Sequence, residues 1–451
     1  VGFQHVRTLA PRHAGRMAPF PIDWLHSLTP ADVPADVTHQ LRRHALDTCA
    51  VLAAGARTET GRVFLDHAAR WSPAGETGAR LAFDGRRASL PTAAWAMGGA
   101  LDAFDAHDGH PLAKGHVSAG VWPAVLALSD ELAPCALDEA LLRLLVGSEI
   151  GLRAGLALHR LAPAYHTSGA WNALGTAAAG ARALGLDAAA TGHALGAAEF
   201  YGPRGLMMRV IAEPSMLKDG SAAGAGRGVE AALLAADGYR ATPADLVASP
   251  DVADLWADLG SRWRVLEQYL KPYPVCRWAQ PAVEAAMAVR PRLDPARIAE
   301  VRIASFAEAV ALGGAAPADG DAAQYALAFP VAAALIHGRL GAEEIAGEGL
   351  HDPRVLDLAQ RIELVAEDRF DRRFPAERWC AVTVTLDDGT VLDSGEVTTR
   401  GDAASPLDDA EVRAKAATLM GDARADALAA LLLDGHGDRM TPGLWAILAP
   451  Q

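Results

Sequence analysis

The sequence is poor in cysteine, and the few cysteines it has lie far apart. Cys49, Cys135, Cys276 and Cys380 form no CxxC pair. This spacing argues against a disulfide framework and against a thiolate zinc site. Because unpaired thiols are typical of reducing compartments, we expect a cytoplasmic protein.

Basic residues and long apolar runs are also scarce. Lys and Arg number 41 against 55 Asp and Glu, which gives a formal net charge of −14. An acidic chain is a poor partner for nucleic acid or for an anionic membrane surface, although a local basic cluster can still bind a small anion. The longest apolar runs, such as "ALAFPVAAALI" at 326–336, are about half of a membrane span. We therefore expect neither a nucleic-acid partner nor a membrane-spanning segment.

The length of the chain predicts two domains, because 451 residues exceed the size at which a single core keeps growing. From about Asp36 to Tyr239 the apolar residues recur at helical spacing. Many of these segments are dominated by Ala and Gly, as in "ALGTAAAGARALGLDAAATGHALGAAEF". Such helices are expected to be buried and closely packed. Met17 is a candidate native start, with an extension before it.

The pattern changes after "KPYPVCRWAQP" at 271–281. Apolar residues alternate in "ARIAEVRIASF" and in "RWCAVTVTLDDGTVLDSGEV", where Asp388-Gly389 is a hairpin signal. The chain is helical again from about residue 405 to its end. We predict a large all-α domain at 1–270, a smaller α+β domain at 271–404, and C-terminal helices at 405–451 that complete the first domain.

The densest group of titratable side chains lies in "DAHDGHPLAKGHVSAG", residues 105–120. A metal site requires ligands on one helix face or on a rigid turn, whereas His107 and His110 are three residues apart in a stretch broken by Pro111 and glycines. Polar side chains between two apolar helices are instead where pKa values are tuned toward neutrality. We expect His116 and its neighbours to line a proton-transfer pocket without metal or cofactor. A metal site is the alternative.

Two further clusters precede small-residue helices. His166 stands in "APAYHTSGAWNALG", near the positive end of the helix that follows. Lys218 comes just before Ser221, a predicted N-cap, so that an ammonium group and helix amides point at the same place. This combination suits a carboxylate or an enolate oxygen. A capping or core role for His166 and an exposed position for Lys218 are the alternatives.

These clusters, in this order, resemble the MmgE/PrpD family, which includes 2-methylcitrate dehydratase, cis-aconitate decarboxylase and iminodisuccinate epimerase. The resemblance runs from about Pro21 to the C-terminus. It rests on "GALDAFDAHDG…GHVSAGVWPAVLAL", "GSEIGLR", "YHTSGAWNALGTAAAGARALGLD", "MLKDGSAAGAGRGVEAALLAADGY", "YLKPYPVCRWAQPAVEAA" and "LDDGTVLDSGEV". It implies the MmgE/PrpD-like two-domain architecture, a homodimer and metal-independent chemistry.

The resemblance also assigns residues. It places the catalytic Asp at Asp102, two catalytic histidines at His116 and His166, and the catalytic Lys at Lys218. Around them we predict a substrate-binding group made of His107, His110, Tyr165, Thr167, Arg204, Lys271, Cys276 and Gln280. The chain departs from the family pattern at Ala106, where the decarboxylase has Thr, and a tyrosine of the decarboxylase expected near 308–314 is absent.

We therefore expect an enzyme that abstracts a proton alpha to a carboxylate of a small di- or tricarboxylate. Elimination of water makes it a hydro-lyase, and reprotonation on the other face makes it an epimerase or isomerase. The sequence separates these two poorly, because both need a base, an acid and an enolate-stabilising cation. A catalytically silent homologue that binds a ligand is the alternative of a different class.

Overall fold

The computed structural model describes residues 19–130, 132–435 and 441–450. Met17, the candidate native start, lies outside the described residues. Among the described residues the first region contains twelve α-helices, here labelled in chain order: α1 (Pro19–Ser27), α2 (Ala35–Gly55), α3 (Glu59–Trp71), α4 (Leu90–Asp102), α5 (Ser118–Asp130), α6 (Leu137–Leu161), α7 (Gly169–Leu184), α8 (Ala188–Tyr201), α9 (Met207–Ala212), α10 (Ser221–Ala236), α11 (Asp245–Ala248) and α12 (Ala253–Ala257).

The small-residue helices α7 and α10 pack closely against each other in the middle of this region. Gly224 of α10 lies so close to α7 that a Cβ atom there would collide with the Asn172 side chain. Helix α6 packs on the other side of α7. The Ala and Gly content therefore allows short distances between helix axes, as the sequence predicts.

The first region is not purely helical. A short antiparallel ribbon pairs β1 (Ala79–Arg80) with β2 (Arg87–Ala88). The all-α prediction is corrected by this ribbon, which is two residues long on each side and therefore too short to show period-two alternation.

The second region combines one sheet with short helices. The sheet order is β4 (Ile362–Ala366), β3 (Ile298–Ser305), β5 (Cys380–Leu386), β6 (Val391–Asp393), with β3–β4 parallel and the other two pairs antiparallel. The β5–β6 hairpin turns at Gly389, whose φ of 83° suits glycine, and this confirms the hairpin prediction. The helices are α13 (Gln280–Val289), α14 (Ala307–Val310), α15 (Gly320–Gln324), α16 (Ala328–His337), α17 (Ala342–Ile345), α18 (Pro353–Gln360) and α19 (Asp368–Asp371).

The chain ends in α20 (Asp409–Met420), α21 (Asp422–Leu432) and α22 (Thr441–Ile447). Helices α20 and α21 pack on α2, and α22 packs on α5, so all three contact the first region.

A large helical domain with a smaller α+β domain is thus the fold of this chain. The domain limits at 270/271 and 404/405 stay predictions. Within the part of the chain that the structure describes, every helix is too short or too polar to cross a membrane.

Candidate active site

A cavity of about 210 Å³ lies between the helical region and the α+β region, and both contribute to its wall. The helical region provides His110, His116 and Tyr165, and the segment at the start of the second region provides Lys271 and Cys276. These five were predicted as site residues. The structure brings them together from three separate parts of the sequence.

The loop between α4 and α5 carries the histidines. Helix α4 ends at Asp102, and α5 begins at Ser118. The loop is closed on itself, because the amide N–H of His110 donates to the carbonyl oxygen of Gly115 at 2.8 Å. The ring of His110 accepts N–H donors of the loop at Nδ1, and its Nε2 lies 3.3 Å from Glu267 Oε2. His110 thus lines the cavity while its ring nitrogens bind the protein.

His116 has a defined tautomer. Its Nδ1 donates to the backbone carbonyl of Asp108, which can only accept. Its Nε2 therefore carries the lone pair, and this atom lies 3.7 Å from Asp219 Oδ2. Burial lowers the pKa of His116 to about 3, and the neighbouring His107 and Lys271 act in the same direction. His116 is a neutral base at the wall of the cavity.

Asp105 forms the charged partner of Lys271. The Lys271 ammonium contacts the Asp105 carboxylate at Oδ1 and also lies 3.2 Å from its backbone carbonyl oxygen. Burial by itself raises the pKa of Asp105, but the Lys271 ammonium in contact with it outweighs burial and lowers the pKa to about 2. Both side chains line the cavity, and both are almost completely buried. The site therefore holds a fixed cation and a fixed anion in contact.

Asp102 is buried behind the cavity and does not line it. Its Oδ2 accepts the amide N–H of Ser221 at 3.0 Å, and its Oδ1 lies 3.2 Å from His107 Nε2. The N-cap of α10 is Gly220, with φ of 67°, so the predicted N-cap role of Ser221 is wrong. The positive end of α10 binds the carboxylate of Asp102 instead of a substrate. Burial raises the pKa of Asp102 to about 7.

Lys218 is buried rather than exposed, but it also lies outside the cavity wall. Its side chain is 2% exposed, and its ammonium lies 3.2 Å from Asp321 Oδ1 and 3.0 Å from Gln324 Oε1. It is 5.1 Å from the centre of the Tyr325 ring. Tyr325 lines the cavity. Lys218 thus lies outside the cavity wall, against the ring of Tyr325.

The remaining predicted residues do not line this cavity. Nδ1 of His166 donates to the backbone carbonyl oxygen of Ala164, in its own segment, at 2.9 Å. Gln280 is buried and donates to the carbonyls of Tyr273 and Val275, which fixes the turn before α13. His107 and Thr167 are buried, and the Arg204 side chain is 43% exposed and lies 3.6 Å from Glu199.

Sequence reasoning missed several residues of the cavity. Asp105 lies three residues after the predicted Asp102, and Asp219 directly follows the predicted Lys218; in both cases it is the neighbour that lines the cavity. Tyr325 donates to Asp219 Oδ2 at 3.2 Å and belongs to the second region. Arg378 lines the cavity with a buried guanidinium, and no carboxylate of the described residues lies within ion-pair distance of it. Neither Tyr325 nor Arg378 had a local signal in the sequence.

Three residues form a candidate metal set, since ligand atoms of Asp105, His107 and His116 lie within 4.8 Å of one another. Nδ1 of His116 is used by the Asp108 carbonyl, and Lys271 contacts the carboxylate oxygen of Asp105. A metal ion at this place would compete with a fixed ammonium group for the same ligand. The donor set therefore suits proton transfer better than metal binding.

Comparison with known proteins gives two family domains that together match most of the chain. The MmgE/PrpD N-terminal domain matches residues 22–257, and the MmgE/PrpD C-terminal domain matches residues 273–433. The cis-aconitate decarboxylase of Aspergillus terreus is 25% identical over 406 residues, 82% of this chain and 82% of that protein. The mitochondrial 2-methylcitrate dehydratase of Yarrowia lipolytica is 42% identical over 78 residues, which are 16% of this chain and 14% of that protein. The chain belongs to the MmgE/PrpD family.

Proposed function

We propose that this protein is a cofactor-independent lyase that abstracts a proton alpha to a carboxylate of a small di- or tricarboxylate and then eliminates water. The observation that carries the proposal is the neutral His116, whose Nε2 lone pair is at the wall of a cavity that also holds Lys271. The two relatives named above, a decarboxylase and a dehydratase, support a carbon–carbon or carbon–oxygen lyase.

His116 is the base of the proposed reaction. Its Nδ1–H is held by the Asp108 carbonyl, so Nε2 is free to accept the proton from the substrate carbon. The imidazolium that forms lies 3.7 Å from Asp219, which becomes a carboxylate when its proton passes to the leaving group and then stabilises the new positive charge. A base with this arrangement does not need a metal-bound hydroxide.

Lys271 is the cation of the proposed reaction. Removal of the alpha proton moves negative charge onto the substrate carboxylate oxygens, and a fixed cation beside them lowers the barrier. Lys271 lines the cavity, whereas Lys218 does not and lies against the ring of Tyr325. We assign enolate stabilisation to Lys271. Lys218 instead makes a cation–π contact with the Tyr325 ring.

The leaving hydroxyl needs a proton. Tyr325 donates to Asp219 inside the cavity, and burial raises the pKa of Asp219, which favours its protonated form. In the elimination the C–H bond breaks toward His116, the C–O bond breaks, and a proton from this Tyr325–Asp219 pair completes a water molecule. The products are an unsaturated carboxylate and water.

A second carboxylate of the substrate has a binding place at Arg378. Arg277 beside it already binds Asp402, so the Arg378 guanidinium adds a cation with no acidic partner of its own among the described residues. Its N–H groups are suited to bidentate binding of a carboxylate. An acidic protein can thus bind an anionic substrate in one basic cavity.

Exchange of solvent deuterium into a panel of di- and tricarboxylates tests the proposal, because it detects proton abstraction whatever step follows. We expect exchange into at least one compound, with loss in His116→Gln and no loss in His39→Gln, whose side chain is 49% exposed on α2. Exhaustive chelation should leave the rate unchanged. Product analysis separates elimination from epimerisation. Absence of exchange from the whole panel would favour the silent homologue.

A further inference from the structure

A second buried polar cluster lies behind the histidine loop, outside the cavity wall. It contains Asp47 of α2, Lys415 of α20, His44 and Asp108. The Asp47 side chain is fully buried, and the Lys415 side chain is 10% exposed. The reaction proposed above uses none of these four side chains.

Lys415 connects the C-terminal helices to the loop. Its ammonium lies 2.6 Å from Asp47 Oδ1 and donates to the backbone carbonyl of Ala106 at 2.6 Å. Burial of an ammonium group is unfavourable, and a buried ion pair is often no more stable than a well-packed apolar pair. Net stability is therefore a weak reason for this contact. The directed hydrogen bond to the loop is a better one.

Asp108 connects the same cluster to the base. Its carboxylate Oδ2 accepts hydrogen bonds from Ser118 at 3.1 Å and from Gln268, and it lies 3.8 Å from His44. Its carbonyl accepts Nδ1–H of His116. The backbone carbonyls of residues 106 and 108 are thus both tethered, one to Lys415 and one to the catalytic histidine.

We propose that Lys415 is a positioning residue. By holding the Ala106 carbonyl, it fixes the three-residue segment 106–108 so that the Asp108 carbonyl captures Nδ1–H of His116. The Nε2 lone pair then faces the cavity. The effect on activity rests on the proposed function, whereas the effect on the His116 tautomer does not.

The tautomer is measurable without a substrate. In protein labelled with ¹⁵N-histidine, NMR distinguishes protonated from unprotonated ring nitrogens, and His116→Gln assigns the signals. We expect wild-type His116 to be protonated at Nδ1 and Lys415→Met to show a mixture of both tautomers. Because a misplaced catalytic group can cost about 100-fold in rate, kcat for exchange should fall by that order, with KM nearly unchanged.

Two variants make the test specific. Arg413→Met removes an exposed ion pair with Asp434 from the same helix and should change neither the tautomer nor kcat. Asp47→Asn/Lys415→Met removes both buried charges, which avoids an uncompensated carboxylate, and should still show the mixed tautomer. The inference is overturned if this double variant regains the Nδ1–H tautomer and wild-type kcat, since Lys415 would then only neutralise Asp47. A changed tautomer with no exchange in the wild type would refute the proposed function but not the positioning role.

Discussion

At the scale of the residue, burial and partners set the charge of each group around the cavity. His116 and Asp105 are close neighbours, yet burial keeps the histidine neutral with a pKa of about 3, while Lys271 helps to keep the carboxylate ionised with a pKa of about 2. Asp102, three residues before Asp105, is shifted the other way, to about 7. Residue type alone would assign the two aspartates the same role.

The pH dependence of proton abstraction follows from His116. An exposed histidine loses its base form as the pH falls through about 6.5. The pKa of His116 is lowered to about 3, so its base form persists below that pH. We expect kcat/KM for deuterium exchange to show no histidine limb between pH 8 and about 5. A limb near pH 6.5 would contradict the assignment of the base.

The same shift has a cost in stability. Below pH 6.5 the unfolded chain binds a proton at residue 116 that the folded chain does not, so the free energy of unfolding falls as the pH is lowered toward 3. The slope for one such group is at most about 1.4 kcal/mol per pH unit. Wild-type protein should therefore lose stability more steeply than His116→Gln between pH 6.5 and 5, in denaturant titrations at each pH.

The two buried lysines near the site are distinguished by substitution. Lys271→Met removes the cation at the cavity wall and should lower turnover by about two to three orders of magnitude, as is usual for one transition-state charge donor. Lys218→Met removes a cation behind Tyr325 and should lower turnover less. Steady-state exchange rates, measured below the melting temperature of each variant, decide between them. An equal or larger loss in Lys218→Met would return the enolate-stabilising role to Lys218.

At the scale of the element, helix α10 is tied to two neighbours at once. Its first amide binds Asp102, the last residue of α4, and its glycines allow close approach to α7. Helix α10 thus has two roles: it holds the buried Asp102 carboxylate near the site, and it packs closely within the helical domain. Small side chains on α7 and α10 are a structural requirement of that arrangement.

Alanine substitution at two helical glycines should therefore change the free energy of unfolding in opposite directions. In Gly224→Ala the new Cβ would collide with Asn172 and lie 2.8 Å from the Gly169 carbonyl oxygen. Such overpacking costs about 1–3 kcal/mol. Gly443 of α22 has open space around it, and Gly443→Ala should stabilise by about 0.5–1 kcal/mol through helix propensity. Thermal or denaturant unfolding checks both, and equal effects would contradict the close-packing account.

At the scale of the whole molecule, the site depends on the contact between the two regions. His116 comes from the helical region, whereas Lys271, Tyr325 and Arg378 come from segments after residue 270. The histidine loop between α4 and α5 is in turn bound by Lys415 of α20, which donates to the Ala106 carbonyl. Neither region alone contains the base together with the cations. The cytoplasmic location stays a prediction, and one relative is described as mitochondrial.

Large apolar side chains are exposed on one stretch of the helical region. The exposed residues between 200 and 239 are Phe200, Tyr201, Leu206, Met208, Met216, Leu217 and Tyr239. Contiguous exposed apolar patches are uncommon on monomers, and within this stretch the rings of Phe200 and Tyr201 are in contact. We expect a homodimer that covers this stretch, with sedimentation at micromolar concentration giving about twice the 47.0 kDa of one chain.

Substitution at the most exposed of these residues tests the dimer surface. Phe200 is 77% exposed and Leu217 is 74% exposed, so Phe200→Glu/Leu217→Glu places two charges on the surface without disturbing the core. The double variant should sediment as a monomer. Trp71→Glu, at a position 70% exposed on α3, is the control and should remain dimeric. A monomeric wild type would refute the prediction.

The local structure of this chain follows from its sequence pattern. The helical spacing before residue 240, the alternating strands and the Asp388-Gly389 hairpin are all found where the pattern predicts them, because these periodicities are properties of the local backbone. The sequence pattern also identified the histidine loop and the "KPYP" segment, because titratable residues or prolines are concentrated in each of them.

Which side chains meet at the site depends instead on packing between distant elements. Asp105 faces the cavity and Asp102 does not, because α4 ends at Asp102 and its carboxylate is bound by the amide of Ser221, 119 positions away. Tyr325 and Arg378 join the site from the second region with no local signal at all. Contacts over such separations depend on burial, charge pairing and close packing between elements. These interactions form only in the folded chain, so they leave no pattern among neighbouring residues of the sequence.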